Sequence, residues 1–300
     1  MTCLTRRRFL TISAAFGIAG GTAQAEEVQR WRGRALGANA SMILTGLNAA
    51  RAEPIFRVVQ QELTRLEGIF SLYVDNSEIT RLNATGRLDN PTSEMLEVLS
   101  LSGSLHRATN GAFDPTVQPL WRALAQGDDP AKARAVVGWE NVRFDTGAVR
   151  LLRPGMGLTL NGIAQGYITD RVADVLRGNM VESLLIDMGE IVAIGTKPGG
   201  RDWRAGIARP DGQIVRHVAL GDRALATSAP YGTVLPAPNK LGHIIDPKAG
   251  SNGPKQTLVS ISAGSAAVAD GLSTACCLLD AGNARSAVTV FDGAKIELIT

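Results

Sequence analysis

Thirty-three glycines and thirteen prolines are scattered along the 300 residues instead of being gathered into a linker. Each interrupts the chain locally, glycine by admitting positive φ and proline by fixing φ and removing an amide hydrogen. The polypeptide is therefore cut into many short elements joined by tight turns. With 45% hydrophobic and 20% charged residues it can bury one large core or two smaller ones, so one compact unit is expected. No repeat with a period of about 20 to 50 residues occurs, which removes solenoids and propellers from consideration.

Hydrophobic spacing assigns the elements. A strand is expected over roughly Trp31 to Thr45, followed by a helix that places Ile55, Val58, Val59, Leu63 and Leu66 on one face, with Pro54 in its first turn. A second helix follows Pro91, turns Met95, Val98, Leu99 and Leu105 inward and stops near Asn110-Gly111. Val142, Phe144, Val149 and Leu151 alternate around Asp145-Thr146-Gly147 and read as a hairpin. A strand over Leu158 to Leu160 then leads through a glycine-rich turn into a helix that carries Val172, Val175 and Leu176 and stops at Gly178-Asn179. Leu184 to Ile186 and Ile191 to Ile194 are expected as buried strands, Trp203 to Ala208 and Ile214 to Leu220 as further strands, and Ala266 to Leu279 as the last helix. Strands thus arrive both as hairpins and between helices, which selects α+β over a regularly alternating parallel sheet.

The first 25 residues stand outside this pattern. Thr5-Arg6-Arg7-Arg8-Phe9-Leu10 has the form of a twin-arginine export signal, and a weakly apolar stretch ending in Ala23-Gln24-Ala25 supplies a cleavage site. The competing reading, a basic tail before a membrane helix, is disfavoured: the stretch is rich in Gly, Ala, Ser and Thr and shorter than the about 20 apolar residues a bilayer requires. The expected division is a signal peptide over 1–25, a single domain over 26–300, and a periplasmic location after cleavage. Removal of the signal takes three arginines from the 31 basic residues and leaves 28 against 28 acids. That balance offers no basic surface for nucleic acid.

Several chemistries lack their residues. No Gly-x-Gly-x-x-Gly, Gly-Lys-Ser/Thr phosphate loop, His-Glu-x-x-His or Gly-x-Ser-x-Gly occurs, and no Cys/His cluster suggests zinc. Only His106, His217 and His243 can act as imidazole bases. Cys276 and Cys277 are adjacent in an apolar run, where a bridge between neighbours would be strained.

The remaining constellations each admit two readings. Asp270 and Thr274 stand four apart on the last expected helix, so a carboxylate and a hydroxyl project from one face and could hold Mg²⁺; an aspartate near a helix start is also an ordinary cap. Asn161-Gly162-Ile163-Ala164-Gln165-Gly166-Tyr167 joins a strand to a helix start, suited to a diphosphate or simply to a tight turn. His243 lies near Asp246 and Pro247 as a base with an orienting acid, or as a hydrogen-bonded surface group. Phe70, Tyr73 and Phe113 place rings in loops after helices. Tyr73 is the ring better suited to meet a ligand, and core packing is the default for the other two.

Taken together and in order, these segments resemble the ApbE family of FAD:protein FMN transferases. The matching stretches are Leu36 to Ala38, Phe70 to Asn83, Gly111 to Leu120, Leu158 to Asp170, Ile186 to Gly195, Trp203 to Pro210, Thr227-Ser228, His243 to Gly250 and Ala269 to Thr274. The resemblance implies a T-fold-like α+β domain of largely antiparallel sheets with packed helices. It implies Mg²⁺ held by Asp270, Thr274 and the main-chain carbonyl of Ala164. FAD, as substrate, would be lined by Leu36, Tyr73, Ala112, Phe113, Asp114, Gln165 and Ile244, with His243 and Asp270 as the catalytic residues. The reaction implied is transfer of FMN from FAD to a Ser or Thr hydroxyl of an acceptor protein, a membrane-bound redox protein being one candidate, with release of AMP. An FAD pyrophosphatase and a non-catalytic flavin-delivery protein are the alternatives.

The chain departs from the family pattern at three places. Where relatives commonly carry Leu-Asp-Leu-Gly-Gly-Ile-Ala-Lys-Gly, this sequence has Thr159 for the acid and Gln165 for the lysine, and Asp187-Met188-Gly189-Glu190 replaces a neutral Asn and a second Gly. The Asn-Gly-Ile-Ala-Gln-Gly-Tyr variant with a twin-arginine signal resembles the accessory flavinyl transferases of nitrous-oxide respiration.

Overall fold

Leu36 and Gly37 take positive φ, 46° and 78°, and turn the expected first strand back on itself. In the computed structural model, which describes residues 27–235, 241–249 and 253–300, that stretch is a hairpin of β1 (Val28–Ala35) and β2 (Ala38–Thr45). Two consecutive residues of positive φ form the turn whose twist matches that of antiparallel strands, so a two-residue connection suffices. The export segment expected over 1–25 lies outside the described residues.

Helix α1 (Ala49–Phe70) follows, capped by Asn48, whose side chain accepts from the Arg51 amide. Its start at Ala49 puts Pro54 inside the helix, beyond the first turn. The carbonyl deprived of its donor is that of Ala50, on exposed surface where water can satisfy it. Ile55, Val59, Leu63 and Leu66 are buried as expected, whereas Val58 is 42% exposed, because the apolar stripe is narrower than the run of apolar residues.

Next come α2 (Glu78–Thr85), β3 (Arg87–Asp89), α3 (Ser93–Ala108), α4 (Gln118–Gln126) and α5 (Pro130–Arg134). The expected hairpin forms as β4 (Val142–Phe144) and β5 (Ala148–Leu151), with Asp145 Oδ1 accepting from the Gly147 and Ala148 amides in the turn. The chain continues through α6 (Ala164–Gly178), β6 (Leu184–Asp187), β7 (Ile191–Ile194), β8 (Thr196–Lys197), β9 (Arg201–Ala208), β10 (Ile214–Leu220), β11 (Arg223–Ser228) and β12 (Val259–Ala263). It closes with α7 (Ala266–Cys276), α8 (Ala281–Thr289) and β13 (Lys295–Ile299). The last expected helix is therefore shorter than its apolar run, and a further helix and strand follow it.

Leu158 to Leu160 is extended but joins no ladder. Asn83 serves as its neighbour: its Nδ2 donates to the Leu158 carbonyl and its Oδ1 accepts from the Leu158 amide, at 2.8 and 2.7 Å, while the Thr159 amide donates to Pro115 O. One amide side chain thus replaces a strand edge, a substitution that apolar spacing cannot reveal.

Seven strands form the central sheet in the order β1-β2-β6-β7-β11-β12-β13, every neighbouring pair antiparallel. Period-two alternation divides its side chains between two cores. Met42, Leu44, Leu184, Ile186, Val192 and Ile194 pack into the core shared with the helices. Ile43, Leu185, Ile191 and Ala193 meet Trp203, Ile207 and Leu220 of the second sheet, ordered β10-β9-β8. With apolar groups on both faces these strands read as continuous hydrophobic runs. A third sheet, β3-β5-β4, completes an α+β fold with exclusively antiparallel ladders among the described residues. A small separate cluster of Leu120, Leu235 and Ile245 packs the segment around His243 against α4.

Candidate active site

Helix α6 begins without a side-chain cap. Ile163 occupies the cap position, and the Ile163 and Ala164 amides both donate back to the Leu160 carbonyl, at 3.0 and 2.7 Å. First-turn amides of a helix have no partner within it and must be met from outside. Here the partner comes from α7: Asp270 Oδ2 accepts from the Gly166 amide at 3.1 Å. Asp270 is 4% exposed and stands one turn before Thr274 on the same face of α7. Thr274 in turn lies against Gly162, where a Cβ would stand 3.1 Å from its Oγ1. Asp270 and Thr274 therefore bracket the segment that contains Ala164.

Two hydroxyls extend this cluster. Ser228, at the end of β11, lies 2.7 Å from Ser273 Oγ and 3.5 Å from Thr274 Oγ1. Asp170, further along α6, accepts from Ser265 Oγ and from the Ala266 and Ala267 amides. Burial pushes its carboxyl above the usual range, against the pull of those hydrogen bonds. Both residues fall in stretches that carry the family resemblance, yet their spacing assigned them no role. Ser265, just before the apolar run of α7, was the available signal for a cap at that point.

Gln165 points to a different partner. Its Nε2 donates to the Met188 carbonyl at 2.8 Å, and its amide fills the space that a side chain at Gly189 would need. The β6–β7 turn, itself a departure from the family pattern, is thus the surface on which another departure, Gln165, rests. Within that turn burial raises the Asp187 carboxyl from the ordinary 3.8 to about 6, with the Gly189 amide opposing the rise. Glu190 is buried, and Thr159 Oγ1 accepts from the Asn161 amide.

Ala112, Phe113 and Asp114 form a second group beyond the C-terminus of α3. Phe113 is buried, Ala112 half-buried, and Asp114 Oδ1 accepts from the Thr116 amide and hydroxyl at 2.9 and 2.6 Å. His106 Nδ1 donates to the Phe113 carbonyl and lies 3.7 Å from Asp114 Oδ2. Burial raises the Asp114 carboxyl, opposed by Thr116 and by the neighbouring imidazole. An open groove of about 580 Å³ runs past His106, Gly111, Asp114, Pro247 and Lys248, so this group borders the chain that follows His243.

His243 Nδ1 lies 3.0 Å from Pro230 O and 3.3 Å from Thr233 O. Carbonyl oxygens only accept, so Nδ1 carries the hydrogen and the lone pair of the neutral ring resides on Nε2. The main chain is fixed as well: the His243 amide donates to the same two carbonyls and Trp121 Nε1 donates to His243 O at 3.2 Å. Asp246 is not the orienting acid that the sequence suggested. Its Oδ1 accepts from the Lys248 and Ala249 amides in a local turn, a use of aspartate that competes with longer-range pairing. Ile244 is buried in the main core.

Leu36 and Tyr73 belong to the edge formed with α1. The Leu36 amide donates to Glu67 Oε1 at 2.7 Å, and the main chain of Tyr73, a residue 58% exposed, is held by its amide donating to Ser71 Oγ at 3.2 Å.

Residues 36–296 match the model of the ApbE family. The chain belongs to that family. Among relatives, a Klebsiella pneumoniae protein described as FAD:protein FMN transferase is 26% identical over 279 residues, covering 85% of this chain and 80% of its own. A Treponema pallidum protein of the same description is 30% identical over 268 residues, covering 77% and 71%. The solved flavin transferase ApbE from Vibrio cholerae superposes with a TM-score of 0.79 at 24% identity, covering 91% of this chain and 93% of that one, a likeness of fold. The ApbE family match spans both the Asp270 cluster and the His243 segment, so the two lie within one family domain.

A metal centre here would have to be built from mixed oxygens. Among the described residues no group of three or more His, Cys, Asp or Glu side chains is arranged to hold an ion. One carboxylate and one hydroxyl beside a helix-start main chain make a hard-oxygen set with low charge, which fits Mg²⁺ sharing its shell with phosphate oxygens and water.

Proposed function

We propose that this protein is an FAD:protein FMN transferase that uses Mg²⁺ held by Asp270, Thr274 and the Ala164 carbonyl. The observation that carries the reading is the convergence of Asp270 and Thr274 from α7 on the first turn of α6. When bound, Mg²⁺ supplies positive charge against the FAD diphosphate. The start of α6 contributes its dipole and amides to the same phosphates. Gly162 and Gly166 let α7 pack directly against that backbone, which brings Thr274 and Asp270 to it. Leu36, Tyr73, Ala112, Phe113, Asp114, Gln165 and Ile244 line the flavin nucleotide in this reading.

The acceptor's Ser or Thr oxygen attacks the phosphorus on the FMN side in line, the bond to the AMP phosphate breaks, and AMP departs. His243 takes the hydroxyl proton on Nε2, the ring nitrogen left as acceptor by the Nδ1–H bond to Pro230 O. The segment over 1–25 directs the chain through the twin-arginine route, and the mature domain acts in the periplasm.

The deciding experiment incubates the mature chain with FAD, Mg²⁺ and a target that carries an Asp-x-x-Ser/Thr-Gly-Ala-Ser/Thr segment, then reads in-gel flavin fluorescence. A covalent adduct and stoichiometric AMP are expected, and both disappear in Asp270→Ala. Free FMN and AMP without an adduct would indicate hydrolysis in the same pocket. Bound FAD without turnover would indicate a delivery protein.

A further inference from the structure

Helices α6 and α7 hold each other through a reciprocal pair of carboxylates. Asp270 of α7 accepts from the Gly166 amide of α6. Asp170 of α6 accepts from the Ala266 amide of α7 at 2.7 Å, from the Ala267 amide at 3.0 Å and from Ser265 Oγ at 2.7 Å. In each helix the aspartate stands four residues after the amide that its counterpart meets. Between the two bonds the backbones come so close that a Cβ on Gly166 would collide with the Ala266 carbonyl. Ser265 also caps α7, its Oγ accepting from the Val268 amide at 3.3 Å.

We infer that Asp170 is a positioning residue for the metal centre: by gripping the start of α7 it fixes that helix's rotation and axial register, and so sets where Asp270 and Thr274 stand against Gly162–Gly166. The inference rests on the reading of Asp270 and Thr274 as Mg²⁺ ligands. Its physical basis is the geometry of α7. Ser265 and the amides of the first turn are joined to Asp270 and Thr274 by a rigid helix, so rotation or sliding at one end is carried to the other. Three charge-assisted bonds to one half-buried carboxylate resist that movement far better than apolar packing of the small residues Ala266, Ala267 and Ala269. Without Asp170 the Ala266 and Ala267 amides lose their partner, and α7 relaxes toward another source of acceptors. Groups that orient a ligand from behind typically change metal affinity by about 10- to 100-fold when removed.

The test is direct binding of Mn²⁺, as a spectroscopic substitute for Mg²⁺, to the full mature chain in the presence of FAD, followed by electron paramagnetic resonance and compared among Asp170→Ala, Asp170→Asn, Ser265→Ala and Asp270→Ala. Circular dichroism and thermal unfolding confirm folding of each. Asp170→Ala should weaken Mn²⁺ by about tenfold or more. Asp170→Asn, which keeps one acceptor oxygen, should recover part of the loss, and Ser265→Ala should show a smaller one. In turnover, the KM for Mg²⁺ should rise while kcat returns at saturating Mg²⁺. A role confined to stability predicts lower melting temperatures with parental Mn²⁺ affinity in every folded variant, and that outcome overturns the inference. Should Asp170→Ala fail to fold, Asp170→Asn and Ser265→Ala decide, and parental affinity in both is again fatal. Loss of Mn²⁺ in Asp270→Ala alone would leave the metal site standing and remove only the role of Asp170. Retention of Mn²⁺ in Asp270→Ala would remove the site itself.

Discussion

Gly162 and Thr274 meet with no side chain between them: a Cβ on the glycine would stand 3.1 Å from both Oγ1 and Cγ2 of the threonine. The glycine's backbone is one that alanine can adopt, so the contact isolates the effect of volume beside the hydroxyl. Gly162→Ala should push Thr274 by a few tenths of an ångström, weaken Mg²⁺ binding several-fold and cost less than about 1.5 kcal/mol of stability. Calorimetric titration of Mg²⁺ in the presence of FAD, paired with urea unfolding, separates the two effects. Parental affinity would show that Thr274 is not a ligand.

Gly166→Ala should behave differently, because the atom in the way is the Ala266 carbonyl, part of a helix backbone that cannot rotate aside. The added methyl forces α6 and α7 apart at their closest approach and strains both carboxylate bonds across it. A loss of about 1–3 kcal/mol or more is expected, seen as a lower urea midpoint with little change in slope. Stability equal to the parent would mean that the two helices can part at no cost.

Much of the fold was legible because the apolar spacing was strong. The faces of α1 and α3, the β4–β5 hairpin and the buried strands β6 and β7 all follow from it. The failures share a cause. Leu36 is a bulky residue at positive φ, a conformation its type does not announce, so apolar spacing alone gives the β1–β2 hairpin as one strand. The stretch around Leu158 looks like a strand because it is extended and apolar, and only the distant Asn83 shows that a side chain has taken the ladder's place.

The site was legible in its parts and not in its connections. One helical turn between Asp270 and Thr274 is a local fact of spacing, and the resemblance supplied the rest of the set. That Asp270 meets the Gly166 amide depends on two helices about a hundred residues apart, and sequence spacing carries no record of it. Asp246 misled for the converse reason: proximity in sequence to His243 suggested a pair, and the carboxylate satisfied its own turn instead.

Gln165 offers a third test. Its hydrogen bond to the Met188 carbonyl holds α6 to the β6–β7 turn, and a net bond of this kind contributes about 1 kcal/mol. Because Gln165 also lines the flavin nucleotide in the proposed reading, Gln165→Ala should lower stability by roughly this amount and weaken FAD binding as well. Parental FAD affinity with lowered stability would make Gln165 a strut alone and remove it from the nucleotide pocket. Fluorescence quenching of FAD and denaturant titration give both readings on one preparation.

The last prediction concerns pH and the same turn. Burial raises the Asp187 carboxyl from 3.8 to about 6 in the folded chain. Below pH 3.8 the folded and unfolded forms are both protonated here, and the residue exerts no pH-dependent effect. Between 3.8 and about 6 the unfolded chain releases its proton while the folded chain keeps it, so the unfolded form binds fewer protons and stability falls as pH rises. Above about 6 both forms are ionised and the loss is constant. Its size is about 2 kcal/mol after discounting for the group's partial exposure. Asp187→Asn removes the charge that burial penalises, so the variant should exceed the parent in stability at pH 7 by about this amount, and the gap should close as pH falls toward 4. Unfolding midpoints of parent and variant measured at pH 4, 5, 6 and 7 check the sign directly. A gap that widened on acidification would mean that the ionised carboxylate is stabilised in the folded turn, the opposite of what its burial dictates.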